Sequence, residues 1–219
     1  NSKAKVLLSY PERFYEINDI VDYFSKIERQ LPDKTQLYIH GLALRDGRKG
    51  AREFDWELIN AILSSTSMVA GMKEECSNYE AGFLLCADCP PDIDFEFIVA
   101  GGSMRRFLFL GAVGAQSFLT GIGSLFPQVE LCFYEHYMSG RMKEVNRMIR
   151  YCEAPFFKTF MGIGWHKALR YAGKKLGILD TTERSPMTTV NLNQANDIEE
   201  GLLKLELCIK ELQAEGVIN

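Results

Sequence analysis

Lys73 ends the run MVAGMK (68–73), in which no earlier residue is charged, and is followed by two glutamates. Among Val69, Gly71 and other apolar neighbours an amine is stripped of water. That loss falls hardest on the charged form, and the neutral form is a nucleophile. A neutral amine condenses with a ketone to give an imine, an electron sink beside which carbon bonds are made or broken. The plainer alternative is an ion pair between Lys73 and Glu74, Glu75 or another carboxylate. Tyr38 and His40 in QLYIHG (36–41), and Gly101 with Gly102 after FEFIVA, lie in neighbouring runs of the same kind. Taken singly, Tyr38 reads as a half-buried strand aromatic and His40 as a satisfied loop histidine. Three such groups on successive strand ends are harder to assign to chance.

The elements that must carry these residues are short apolar runs: KVLLSY (5–10), QLYIHG (36–41), MVAGMK (68–73), FEFIVAG (95–101) and GAQSF (114–118). Helical patterns separate them. NDIVDYFSKIERQL places Ile20, Val21, Phe24, Ile27 and Leu31 on one face behind a capping Asn18, and DWELINAILSS, NYEAGFLLCADC and SMRRFLFLGAV repeat the arrangement. Strands that alternate with helices pair in parallel, because the return path must cross a sheet face. Ligands then collect at the carboxyl ends of the strands. No tight hairpin is signalled, and RDGRKGAR is read as a solvated loop.

After residue 118 only helical patterns follow. An open five-stranded sheet and a (β/α)8 barrel both fit. A barrel takes about 250 residues. With five strands and no initiating methionine, the expectation is a barrel whose first three βα units lie outside the 219 residues. The barrel units are expected over 1–123, and the last barrel helix with a helical extension over 124–219.

Composition narrows the function. Asp and Glu outnumber Lys and Arg by 29 to 25, and no basic cluster exceeds RDGRKGAR, so the electrostatic footprint of a nucleic-acid binder is missing. The six cysteines are scattered rather than dense and no signal peptide pattern precedes them, which points to a reducing cytoplasm. Cys86 and Cys89 form a C-x-x-C, read as helix-end cysteines before two prolines rather than a zinc or redox pair. FLFLGAVGAQSFLTGIGSLF (107–126) has the length of a membrane span, but its four glycines and scattered polar residues suit a helix end, a strand and a loop. Neither GAVGAQ nor GIGSLF has the lysine or spacing of a phosphate-binding loop.

VAGMKEE resembles the GIKE motif of the dihydrodipicolinate synthase / N-acetylneuraminate lyase family. LYIHGLALRDG is similar to that family's LYNxPxRTG, and VAGGS to its strand-7 glycine motif. The likeness recurs at intervals through LGAVGAQS, SLFP, KALRYAGKKLGI and RSPMTTV. The resemblance implies a (β/α)8 barrel in which Lys73 forms the Schiff base with pyruvate and Tyr38 relays protons. Gly101 would offer backbone to the keto acid, and Arg45 and His40 would face the substrate. The family's Thr-Thr pair has no counterpart in these residues. Its Pro-Tyr-Tyr reads SYPERFY, so either Tyr10 or Tyr15 would be the tyrosine given to a neighbouring subunit. Arg45 stands two positions late before the insertion DGRKGAREF, and the acidic pair of the sialic acid lyases is replaced by GSM.

The activity expected is a lyase or synthase that condenses pyruvate with an aldehyde or cleaves a 2-keto acid, without metal or other cofactor. A sugar-acid aldolase and a binding or regulatory barrel without the chemistry are the alternatives. Apolar residues in the late helices, among them Leu131, Phe133, Tyr137, Leu203, Leu205 and Leu207, lead to an expected homo-oligomer, dimer or tetramer.

Overall fold

The computed structural model describes residues 4–9, 16–42, 44–46, 50–180 and 183–219, with the side chains of 44–46 and 50–52 left aside. The chain divides into two compact units, 1–119 and 120–219.

In the first unit, β1 (Lys5–Leu8) leads into α1 (Ile17–Glu28) and β2 (Gln36–Gly41). A short pair, β3 (Leu44–Asp46) and β4 (Gly50–Arg52), precedes α2 (Trp56–Leu63), β5 (Val69–Glu74) and α3 (Tyr79–Ala87). β6 (Glu96–Val99), α4 (Ser103–Leu110) and the two-residue β7 (Ser117–Phe118) complete it. The sheet order is β1-β2-β5-β6-β7, with every neighbouring pair parallel. Strands therefore follow one another across the sheet without a reversal of direction. Right-handed crossovers then put all the connecting helices on one face, which is the winding of a (β/α)8 barrel and not of a doubly wound sheet.

The five strands anticipated from the apolar runs are all present, the last reduced to two residues. On the helix-covered face Leu37, Ile39, Met72, Phe97 and Val99 are buried. From the helices come Ile20 and Phe24 of α1, Leu58, Ile59 and Ile62 of α2, and Met104 and Phe107 of α4, all buried. Burying each such side chain contributes roughly 1.5–3 kcal/mol. On the opposite face the residues alternate with these: Lys5 and Leu7, Tyr38, His40, Gly71 and Lys73, Glu96 and Ile98.

Local chemistry sets the helix starts. Asp55 accepts from the Leu58 amide at 2.9 Å, and Asn78 from those of Glu80 and Ala81. In α1 the cap is Glu16, in a reciprocal box with Asp19, and not Asn18, which lies inside the helix. Of the five residues expected on its apolar stripe only Ile20 and Phe24 are buried; Val21, Ile27 and Leu31 are partly covered. RDGRKGAR is also corrected: Leu44–Asp46 and Gly50–Arg52 pair antiparallel as a hairpin. Alternation was too short there to stand out from a polar loop.

The second unit is helical among its described residues: α5 (Pro127–Met138), α6 (Met142–Met148), α7 (Ala154–Ile163), α8 (Trp165–Lys175) and α9 (Leu192–Ala214). A π-helical turn over Ile149–Glu153 joins α6 to α7. Its core includes Phe133, Met148, Phe156, Phe160, Ile198, Leu202 and Leu205. No described helix is long and apolar enough to cross a membrane.

Candidate active site

Lys73 sits one residue from the carboxyl end of β5, the central strand, on the face away from the helices. Its side chain is 15% exposed. The register that brings it there depends on one irregularity. Leu37 pairs with Val69, but Tyr38 pairs with Gly71, so Ala70 is an extra residue and β5 bulges. Beyond the bulge His40 faces Lys73. With regular pairing from Val69 onward, Lys73 would point into the helix-covered face, since a one-residue slip exchanges the two faces.

Lys73 Nζ donates to Glu75 Oε2 at 2.5 Å and lies 2.9 Å from His40 Nε2. His40 Nε2 is in turn 3.0 Å from Glu75 Oε2, and its Nδ1 is 3.0 Å from the Ser9 hydroxyl beyond β1. Amine, imidazole and carboxylate thus form a closed triangle. Burial raises the Glu75 carboxyl, but hydrogen bonds from Lys73 and His40 outweigh it and hold the group below its ordinary range. The carboxylate of the plainer sequence alternative is therefore Glu75, and the amine is both half-dry and paired.

Tyr38, on the same face, is two residues nearer the amino end of β2, and its hydroxyl donates to Glu96 of β6 rather than to Lys73. Lys5 donates to the same carboxylate at 3.1 Å and lies 5.0 Å from the centre of the Tyr38 ring. Burial and the bond to Glu96 raise the phenol, which keeps its proton, while the Tyr38 and Lys5 hydrogen bonds lower Glu96. Gly71 lies between these two layers. A Cβ at Gly71 would come within 2.9 Å of the Glu96 carbonyl carbon, so a side chain there would force β5 and β6 apart.

The strand end is anchored from the other face. Glu74 and Arg106 of α4 are both buried, 0% and 3% exposed, and joined by two hydrogen bonds of 2.9 and 2.6 Å. Arg106 also donates to the Cys76 carbonyl at 2.8 Å, and Tyr79 packs on its guanidinium. Gly101 follows β6 at φ +67°, a conformation that favours glycine. A Cβ there would lie 3.4 Å from Glu75 Cγ, so Gly101 borders the triangle.

Of the residues singled out from the sequence, Lys73, His40 and Gly101 converge, and Tyr38 lies one layer below them. Arg45 is in β3, and its side chain, like Tyr10 and Tyr15, falls outside the described residues. Glu96, Lys5 and Ser9 were missed. Parallel register had to be known before their distance from Tyr38 and His40 could be read. Cys86 lies buried in the last turn of α3 and Cys89 follows the helix, both as free thiols. No described group of three His, Cys, Asp or Glu residues could hold a metal ion.

No protein-family model matches the sequence, and no curated protein does. Solved structures do. The 4-hydroxy-tetrahydrodipicolinate synthase of Methylacidiphilum fumariolicum SolV superposes with a TM-score of 0.79 at 16% identity, over 98% of this chain and 67% of that one. Dihydrodipicolinate synthase from Aquifex aeolicus gives 0.73 at 16% identity, over 93% and 66%. N-acetylneuraminate lyase from Mycoplasma synoviae gives 0.72 at 14% identity, over 93% and 65%. The chain spans about two thirds of the length of these structures. It has the fold of the dihydrodipicolinate synthases and of N-acetylneuraminate lyase.

Proposed function

We propose that Lys73 forms a Schiff base with pyruvate or a related 2-keto acid, and that the protein to which the chain belongs condenses it with an aldehyde or runs the cleavage in reverse. One observation carries the reading. The amine lies at the carboxyl end of the central strand, on the helix-free face and largely out of water, where parallel βα folds place their chemistry. The imine stabilises the carbanion that attacks the aldehyde. Tyr38, held protonated beside Glu96, is the proton donor for the carbon–carbon step. Gly101 presents backbone to the keto acid, His40 borders the substrate, and Arg45 is assigned to substrate binding by the sequence resemblance alone.

Incubation with pyruvate and borohydride is expected to add a reduced pyruvyl group to the peptide carrying Lys73, and to leave Lys73→Ala unmodified. An unmodified Lys73 in folded protein would leave a binding or regulatory barrel as the reading. We further propose that the chain self-associates through the second unit, where Leu131, Leu203 and Leu207 are exposed. Phe133 and Leu205, expected on the same surface, are core residues.

A further inference from the structure

We propose that His40 is the base that frees the Lys73 amine, with Glu75 holding the imidazolium that results. The inference rests on the reading of Lys73 as the imine-forming residue and adds the group that makes it reactive. An ion pair with Glu75 alone would keep the amine as an ammonium, which cannot attack a carbonyl. The triangle contains an acceptor as well. An ammonium only donates, so the ring nitrogen that faces it accepts, and the imidazole proton sits on Nδ1, 3.0 Å from the Ser9 hydroxyl that accepts it. That assigns the lone pair to Nε2, 2.9 Å from the ammonium. Nε2 is also 3.0 Å from Glu75 Oε2. Once protonated it has a carboxylate to donate to, in the manner of an imidazole backed by an acid.

Among the described residues the groups facing the imidazole are Ser9 from the end of β1 and Lys73 and Glu75 from β5 and its exit. Protons balance through this single base. Nε2 takes one from the ammonium, and the amine adds to the keto carbon. The imidazolium returns the proton to the oxygen, giving a neutral hydroxyl on a protonated carbinolamine nitrogen. Nε2 then removes the second proton from that nitrogen and delivers it to the hydroxyl, which leaves as water. The product is the protonated imine, with His40 neutral again. Both hydrogens of the released water come from Lys73.

The test is the rate of imine formation with pyruvate, trapped by borohydride at timed intervals and read by mass, as a function of pH. His40→Gln keeps an acceptor for the ammonium and cannot take its proton. We expect trapping to slow by roughly a hundredfold or more near neutral pH, to lose the histidine limb of its profile, and to recover as pH rises. Glu75→Gln removes the charge that favours the imidazolium and is expected to move the same limb to lower pH. If either variant fails to fold, the other carries the test. Wild-type trapping with an unchanged rate and profile in the folded variants overturns the role of His40 and leaves the Schiff-base reading standing. No trapping in the wild type overturns both.

Discussion

His40 and Lys73 face each other across the β2–β5 register, and Glu75 closes the contact, accepting from Lys73 and lying 3.0 Å from His40 Nε2. The folded Glu75 carboxyl is depressed relative to its ordinary 4.5. Its contribution to stability is therefore complete above that value and is lost as pH falls through the lower folded value. Urea denaturation of wild type and Glu75→Gln from about pH 6 to about pH 3 is expected to show a shallower acid limb in the variant. Equal slopes would mean that Glu75 is not paired in solution.

Tyr38 and Glu96 form the layer below. Tyr38→Phe removes the donated hydrogen bond and the proposed proton donor while leaving the triangle untouched. The pyruvate adduct on Lys73 is expected to form as in wild type, while turnover with an aldehyde falls by about a hundredfold. Loss of the adduct itself would place Tyr38 in imine formation instead.

Glu74 and Arg106 are the buried pair at the end of β5. Arg106→Met strands a buried carboxylate and is expected to cost about 3–5 kcal/mol in urea denaturation. Replacing both residues with Met removes the stranded charge and recovers most of that loss. A single variant as stable as wild type would contradict the buried geometry.

The cysteines divide by burial. Cys86 and Cys152 have thiols pushed up to about 12 by burial, and Cys76 is pushed up further. Cys89 and Cys208 are only partly covered. Alkylation of the native protein at about pH 8, mapped by peptide mass, is expected at Cys89 and Cys208 first. The buried thiols react only after denaturation. Equal reaction at Cys86 and Cys89 would argue for an exposed C-x-x-C.

Strand runs and the placement of Lys73 at a strand end were legible in the sequence because they depend on local apolar patterning. Asn18 misled because any Ser, Thr, Asn or Asp before a helical run reads as a cap. The Glu16 and Asp19 box that formed instead uses a less common capping residue. The direction in which successive strands are laid down, which separates a barrel winding from a doubly wound sheet, followed from tertiary order alone. The bulge at Ala70 decides which face receives Lys73. Its sequence signal is a single residue, and its consequence is the orientation of everything after it.

The chain by itself determined that a lysine would end a buried parallel strand near a tyrosine and a histidine. Tertiary structure decided that the histidine and Glu75 hold the amine and that Glu96 holds the tyrosine. Those pairings join residues 33 and 58 positions apart, and only the register of neighbouring strands brings such groups within hydrogen-bond distance.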